Sequence, residues 1–342
     1  MKLAQFLFRR GLQSIFVLFG LSVVIFIIAR VAPGDPARMA LGFRASEEAV
    51  ARMREIMRLD DPLYVQYLVW LGDAIQGNFG VSHVTHRAIT EDIHDFLPAT
   101  LELVFLAGLI MGVPGVYLGM LSGRHKDKWI DNVIRIISYL GVVTPSFVFA
   151  VLFLLIFGFV LKWLPTVGRL SSDAIIPARI TGFYTLDALL AGNLMLFWDA
   201  FVHLVFPALA LALPAMAQQA RITRATLSDN LGKDYIAAAR ALGVPEGLVM
   251  GRLLLKPSLI PSVSILGLDF AAAVVNAFLV ELVFNWPGLS RYGITAMLRK
   301  DLNAIVAVIL VYGAIFILAN IVVDLVVAQL DPRIKLNAGR GG

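Results

Sequence analysis

Six long apolar runs restrict the fold of this 342-residue chain more than any other feature, and five of them contain no charged residue. A helix needs about 20 apolar residues to cross a bilayer, where only helices and closed barrels satisfy their own backbone groups. The composition agrees, since 59% of the residues are hydrophobic and 15% are charged. We therefore predict an all-α membrane protein with six transmembrane helices. The predicted spans are Leu12–Ala29, Leu103–Leu121, Ile136–Leu161, Val202–Ala220, Leu259–Val280 and Leu302–Val323.

Basic residues indicate the orientation of these spans. They are frequent before span one, between spans two and three, between spans four and five, and after span six. Short cytoplasmic loops carry an excess of Lys and Arg, whereas long loops weigh little. The pattern predicts a multi-pass protein of the inner (plasma) membrane with both termini in the cytoplasm. Span one could instead be a cleaved signal peptide, but its apolar run is long and no A-x-A site follows.

The sequence divides into four parts, with a sizeable outer loop after span one. Within this loop, Ser46 precedes one amphipathic stretch and Tyr64–Ile75 forms a second. They predict a small helical cap on the membrane helices, a docking surface for an outer partner, or both. The predicted parts are 1–30 with the first helix, the outer loop 31–98, a five-helix core 99–333 that includes the loop 221–258, and the tail 334–342.

Two short helices are predicted within the loop 221–258. Ala237, Ala238 and Ala239 favour helix, and Gly243 is a natural C-cap. Pro245 cannot continue the same helix, and Glu246 then opens a second one. The result is a compact knob on the membrane surface, of the kind that a separate motor would push. The residues predicted to couple to such a motor are Ala237, Ala238, Ala239, Arg240, Gly243, Val244, Pro245 and Glu246.

The sequence does not favour an enzyme. It contains no phosphate-binding loop, no H-E-x-x-H pattern and no G-x-S-x-G elbow. It contains no cysteine, and His83 and His86 have no third ligand at a suitable spacing, so we interpret them as part of a polar loop. We expect no cofactor and no metal. The net charge of +5 is typical of cytoplasmic membrane flanks and does not indicate nucleic acid.

Asp269 lies ten residues inside span five, about 15 Å into the bilayer. A carboxylate at that depth is costly and is expected to face a water-filled pathway or a partner. Asn276 lies seven residues further on, on nearly the same face of a helix. We predict that both line a translocation pathway. The alternative is a polar clasp to another span or to a partner chain.

Several motifs occur together in one order. They are Pro33-Gly34-Asp35-Pro36-Ala37, Leu97-Pro98-Ala99-Thr100-Leu101-Glu102-Leu103, Pro145-Ser146-Phe147, Asp234–Gly243, Glu281-Leu282-Val283-Phe284-Asn285-Trp286-Pro287-Gly288-Leu289 and Asp331-Pro332-Arg333. From Arg9 to Arg333 the chain resembles the permease subunits of ABC importers of the dipeptide, oligopeptide and nickel type. Asp234–Gly243 is similar to the EAA loop of that family. One position departs from it, because Ala237 stands where the general motif has Glu.

The resemblance implies a type I importer fold and a set of partners. A second permease, often a different chain, would complete the pathway, two cytoplasmic ATPases would drive it, and an outer binding protein would deliver the substrate. Short peptides are the first expectation, with nickel, haem, glutathione and sugar-like solutes left open. An ion-coupled carrier or channel that acts alone is the alternative, although such carriers usually have more charged groups at mid-bilayer.

Overall fold

The computed structural model describes residues 3–31, 36–41, 45–56, 58–163, 165 and 167–330. Helices form nearly all of the regular structure in these residues. Their bounds are α1 Leu3–Val31, α2 Pro36–Leu41, α3 Glu47–Ile56, α4 Leu63–Ile75, α5 Ile89–Arg124, α6 Trp129–Val143, α7 Ser146–Phe153, α8 Tyr184–Leu190, α9 Leu194–Leu231, α10 Asp234–Ala241, α11 Glu246–Leu248, α12 Lys256–Val283, α13 Leu289–Leu298 and α14 Leu302–Leu330. Two π-helical segments, Leu154–Val160 and Val249–Leu255, follow α7 and α11.

Five helices are long and apolar enough to cross a membrane, which confirms five of the predicted spans. The span predicted at Ile136–Leu161 is wrong as a continuous helix. It consists of Trp129–Val143 and Ser146–Val160, which meet at an angle of 103°. Pro145 has no backbone N–H, and a proline disfavours helical geometry in the residue before it. Thr144 is accordingly extended, with φ −88° and ψ 120°, and the run is divided at this point into two helical segments.

Two helices extend well beyond the apolar runs that predicted them. α5 begins at Ile89, so the boundary predicted at residue 98 lies inside it, and α9 continues through the first residues of the predicted loop 221–258 to Leu231. Hydropathy locates the end of an apolar run, which is where charged residues begin. The helix itself can continue past that residue into water, because its backbone groups are hydrogen-bonded within the helix. The predicted motifs at 33–35 and 331–333 lie outside the described residues.

The most extensive packing between two helices in the described part of the chain is between α5 and α9. A Cβ atom placed on Gly119 of α5 would lie 2.5 Å from Thr223 Cβ and 2.6 Å from the Ala220 carbonyl oxygen of α9. Gly115 and Gly123, four residues to either side, would meet α9 in the same way. Small residues at this spacing allow two membrane helices to approach closely and gain van der Waals contact. α5 and α9 therefore form the central pair, around which α6, α7 and α12 pack.

α1 lies at the edge of this bundle against α14. Arg10, near the start of α1, forms a 2.6 Å ion pair with Asp324, near the end of α14. Further along α1, a Cβ atom on Gly313 of α14 would lie 2.5 Å from the Leu21 side chain. The two terminal helices are therefore antiparallel, and their chain-terminal ends lie on the same side of the bundle.

The insert between residues 162 and 200 contains α8 and a buried arginine that forms an ion pair with α5. Arg169 donates to Glu102 of α5 at 2.6 Å, and their side chains are 6% and 4% exposed. Thr185 also donates to Glu102, and the Arg169 guanidinium lies 3.5 Å from the centre of the Tyr184 ring. The insert thus closes over one end of the bundle.

Two further contacts join the neighbouring motifs at that end. Thr100 donates to Glu281 at 2.5 Å, and the Trp286 indole donates to the Ala99 carbonyl oxygen at 2.9 Å. The segments 97–103 and 281–289, noted in the sequence as separate motifs, therefore pack against each other. A further buried carboxylate, Asp301, accepts from the Ser82 hydroxyl and from the His83 backbone N–H, at 2.7 Å each.

We predict that Gly119→Ala destabilises the protein. In a helix, alanine is normally more stable than glycine by about 1 kcal/mol. The added methyl group would nevertheless collide with α9, and overpacking of this kind lowers the free energy of unfolding by roughly 1–3 kcal/mol. A net loss of stability would therefore show that Gly119 is needed for the close approach of the two helices. The thermal unfolding midpoint of the purified protein in detergent measures it. The matched control is Gly20→Ala in α1, where a Cβ atom meets nothing within 4 Å. Equal midpoints for the two variants would contradict the prediction.

Candidate functional site

The segment predicted as a knob is α10, a tight turn and α11, which we call the α10–α11 knob (residues 234–248). The Val244 N–H donates to the Ala239 carbonyl at 3.1 Å, and the Gly243 N–H donates to the Arg240 carbonyl at 3.0 Å. With φ +69° at Gly243, this pair of bonds is a Schellman motif. The prediction of a glycine C-cap here is confirmed. So is the start of a second helix at Glu246.

A small apolar cluster fixes the α10–α11 knob to the bundle. Leu227 at the end of α9 packs with Ile236 and Ala239 of α10 and with Val249 and Leu254 of the π-helical segment. Ala239, predicted to contact a motor, is thus buried, and it holds the knob in place. The reason is the helical period, which turns positions 236 and 239 of α10 inward.

The remaining predicted coupling residues lie mainly at the surface. Ala237, Ala238 and Pro245 are exposed, and Arg240 and Glu246 form an exposed 2.7 Å ion pair across the turn. Sequence reasoning missed Leu242, which is 83% exposed at the tip of the knob, next to Gly243. The sequence contained a signal for Leu242, because this apolar residue directly precedes the glycine cap and does not occupy an inward-facing position of α10. The tip therefore offers an apolar surface edged by charge.

Hydrogen bonds join the two helices that carry the knob. Thr226 of α9 donates to the Ser258 carbonyl of α12 at 2.8 Å, and Asn230 donates to the Ser258 hydroxyl at 2.9 Å. One turn further into the bundle, the hydroxyls of Thr223 and Ser262 are 2.8 Å apart. The knob and the adjoining ends of α9 and α12 therefore form one connected unit.

A buried ion pair connects the same end of α9 to α6. Arg224 donates through two nitrogens to Asp131, at 2.5 and 2.6 Å, and Asp131 is fully buried. The Ser122 hydroxyl and the Asp127 backbone N–H donate to the same carboxylate. From the sequence, Arg224 was only one of many basic residues on this side. The ion pair could not be found from spacing, because its partners are 93 residues apart.

A cavity of about 360 Å³ lies deeper in the bundle. Asp269 and Asn276 of α12 both line it, together with Gln218 of α9, as their seven-residue spacing predicted. Its opposite wall is the break between α6 and α7, at residues 142–146. The break that hydropathy missed therefore opens polar backbone and the Thr144 and Ser146 side chains toward this space.

Asp269 also makes a contact of the kind expected for a clasp. One carboxylate oxygen accepts from the Gln219 side-chain amide of α9 at 3.0 Å. Gln219 is fully buried, and its own amide oxygen has no hydrogen-bond partner among the described residues. Asp269 is itself half-buried, so it both joins α9 to α12 and faces the cavity. Elsewhere in the described ranges, no three His, Cys, Asp or Glu side chains come together as a metal site would require.

Comparison with known proteins identifies the family. The family "Binding-protein-dependent transport system inner membrane component" matches residues 115–336, and its N-terminal companion matches residues 3–104. The chain belongs to this family. It is a multi-pass inner-membrane permease component of an ABC importer, and such a component is not itself catalytic. The resemblance found in the sequence is therefore confirmed, and the alternative of an ion-coupled carrier or channel is not favoured.

The relatives align over almost their entire length. The chain is 39% identical over 328 residues to a probable D,D-dipeptide transport system permease protein of Escherichia coli K12, which covers 96% of this permease and 95% of the relative. It is 37% identical over 328 residues to a dipeptide transport system permease protein of Alkalihalophilus pseudofirmus, covering 96% and 98%. A glutathione transport system permease protein of E. coli K12 is 32% identical over 331 residues, covering 97% and 99%.

We predict that Arg224→Gln lowers the stability of the permease by about 3 kcal/mol, because the Asp131 charge is left buried without its partner. The thermal unfolding midpoint in detergent should fall clearly. Asp60→Asn is the control, because Asp60 pairs with Arg54 at an exposed site, where an ion pair contributes at most about 1 kcal/mol. Unfolding midpoints that fall equally in both variants would contradict the role given to Arg224.

Proposed function

We propose that this permease forms half of the translocation pathway of an ATP-driven, binding-protein-dependent importer of short peptides, and that the α10–α11 knob couples the pathway to a cytoplasmic ATPase. The observation that carries the proposal is the exposed tip of the knob on a rigid base. Leu242, Arg240 and Glu246 are available to a partner, while the buried cluster and the Thr226–Ser258 hydrogen bond tie that base to α9 and α12.

The partners follow from this arrangement and from the family. A second permease, identical or different, completes the pathway, and two ATPase subunits hydrolyse ATP, each holding one knob. A substrate-binding protein docks on the outer side, and residues 31–98 contribute to the docking surface. The divisions 1–30, 31–98, 99–333 and 334–342 describe the membrane entry, the outer segment, the pathway-forming core and the tail.

The proposed orientation places the knob and both termini in the cytoplasm. Arg9, Arg10, Arg224 and Arg240 lie on or near the knob side, in agreement with the excess of basic residues in cytoplasmic loops. The Arg10–Asp324 ion pair supports placing both chain-terminal ends on one side. The Glu102–Arg169 pair then lies at the outer end of the bundle.

The mechanism is a rigid-body movement at an interface. When ATP closes the two ATPase subunits, the two knobs approach each other. α9 and α12 move with the knob, because their ends are bonded to each other and to its base. Gln218 belongs to α9 and Asp269 belongs to α12, so both side chains move with the knob. The cavity wall that these two residues form therefore changes its position relative to the other half of the pathway.

The substrate assignment rests on the relatives, whose names specify dipeptides and glutathione. A free peptide carries an α-ammonium group and several amide groups. Asp269 supplies a carboxylate for the ammonium, and Asn276 and Gln218 supply amides on the same cavity wall. Within the described part of the chain, no Lys, Arg or His forms an ion pair with Asp269, which leaves its charge available to a cation.

The coupling role predicts different outcomes for two substitutions of Gly243. Gly243→Val should lose the ATP hydrolysis that loaded binding protein stimulates, by on the order of tenfold, because φ > 0 costs an ordinary residue about 1–2 kcal/mol. Gly243→Asn should retain most of the stimulation, since Asn tolerates this backbone region. Both variants should insert into the membrane and assemble. The measurement is the ATPase rate of the complete transporter in lipid.

A substitution at the tip provides the second arm of that experiment. Leu242→Asp leaves the Schellman motif intact, and it should lower stimulated hydrolysis as strongly as Gly243→Val. If both Leu242→Asp and Gly243→Val retain full stimulation, the knob does not couple the permease to the ATPase.

The pathway role predicts that Asp269→Asn lowers the uptake of peptides with a free amino terminus by on the order of tenfold, because a hydrogen bond to a charged group contributes about 1.5–3 kcal/mol. Uptake of the same peptides after N-acetylation should change little. The ratio of the two uptake rates into vesicles is the measurement. Equal losses for both peptides, or poor assembly that Gln219→Leu reproduces, would show that Asp269 acts only as a clasp.

A further inference from the structure

α4 of the outer segment packs directly against α1. The Tyr67 hydroxyl is 2.9 Å from the Ser22 hydroxyl, and the Tyr67 ring lies 5.2 Å from the ring of Phe26. Trp70 lies 5.7 Å from the same Phe26 ring. The sequence predicted this helix as part of a small helical cap on the membrane helices, a docking surface for an outer partner, or both. Its contacts are with the half of transmembrane helix α1 that ends at Arg30, in agreement with a cap that packs on the membrane helices.

The position of these contacts along α1 gives the depth of α4. The chain carries no charge from Gly11 to Ala29, and Arg30 follows. Ser22 lies eight residues before Arg30, about 12 Å into the membrane at the rise of an α-helix. The hydrocarbon core is about 30 Å thick. Tyr67 therefore reaches well below the level of the head groups, where Arg30 is expected to lie.

One side of α4 is apolar and uncovered. Tyr64, Leu68 and Ile75 are 70%, 63% and 77% exposed. Their spacing of four and seven residues places them on a single stripe of the helix. We call these three residues the α4 stripe. In α1, the side chains of Val24, Ile27 and Ile28 lie on faces turned away from α4 and are also exposed, so α1 presents its own apolar surface along the same stretch of the membrane.

The opposite side of α4 is polar. Gln66 is buried and donates to the carbonyl oxygens of Leu59 and Asp61, at 3.1 and 2.8 Å. Asp73 borders a cavity of about 380 Å³ that is also lined by Arg30 and Arg58. Polar and charged groups therefore lie on this side of α4, and apolar surface lies on the other. A helix with this division lies in the membrane interface with its apolar side in the acyl chains.

We propose that α4 is an interfacial helix, and that the α4 stripe is immersed in the acyl chains of the leaflet that surrounds the Arg30 end of α1. The occupant of the stripe is lipid, because the contact with Ser22 and Phe26 places α4 against the uncharged, membrane-spanning part of α1. A soluble partner would approach from the polar side. The outer segment is thereby anchored to the membrane by a second helix besides α1. This proposal does not depend on the substrate or on coupling to an ATPase.

The test uses the absence of cysteine from the natural chain. Single cysteines replace Leu68, Tyr64 or Asp73 in turn, each is spin-labelled, and the permease is reconstituted with its partner chains in phospholipid vesicles. Collision rates with oxygen, which concentrates in lipid, and with a water-soluble nickel chelate are then measured. Leu68→Cys and Tyr64→Cys should give a high oxygen rate and a low nickel rate. Asp73→Cys, on the same helix, should give the inverse ratio.

Two results would overturn the proposal. A high nickel rate at the stripe positions would show that the stripe faces water, as a soluble cap or a surface for a binding protein would. Low rates for both reagents would show that protein covers it, as a second permease chain would. Two stripe positions are used so that a local disturbance at one of them does not decide the outcome.

Discussion

The close approach of α5 and α9 is the contact on which the rest of the structure depends. It exists because Gly115, Gly119 and Gly123 leave no side chain between the two backbones. α5 and α9 are also the longest helices described, with 36 and 38 residues. Each passes through the apolar layer and extends beyond it. α6, α7 and α12 pack on this pair, whereas α14 packs mainly on α12 and α1 packs on α14. The Arg169–Glu102 and Arg224–Asp131 ion pairs, at the two ends of the bundle, involve α5 and α9 respectively.

The distribution of polar side chains follows from the solvent. A membrane provides no partner for an unpaired polar group, so the charged side chains of the bundle form ion pairs, accept hydrogen bonds as Glu281 and Asp301 do, or line a cavity. The pairs occur near the two ends, with Arg224–Asp131 at one and Arg169–Glu102 at the other. Between them the only carboxylate on α12 before its last turn is Asp269, beside the cavity. Ion pairs thus stabilise the two ends of the bundle. In the middle, Asp269 lies at the polar wall of the cavity and has no basic partner in the described chain.

Much of this architecture could be predicted from the sequence. The spans followed from apolar length, and the cap at Gly243 followed from one glycine placed between helix-forming residues and a proline. The prediction of a continuous third span failed, because the interruption at Pro145 involves no charged residue. Hydropathy averages over Pro145 and therefore gives a single apolar run from Ile136 to Leu161. It also failed for the ion pairs. Glu102 and Arg169 lie 67 residues apart, and only the folded chain brings them together.

The proposed coupling requires that one wall of the cavity moves with the knob. α12 begins at Lys256 beside the knob, and Asp269 lies thirteen residues further on, about 20 Å along the same helix. One wall of the cavity, with Gln218 and Asp269, therefore belongs to helices that move with the knob. The opposite wall is the break at Thr144 and Pro145, between α6 and α7, which both pack on α9, and the Arg224–Asp131 ion pair joins the start of α6 to the knob end of α9. Opening and closing of the pathway then requires these two walls to move relative to each other, and the extended backbone at Thr144 is a point at which the opposite wall can bend without breaking a continuous helix.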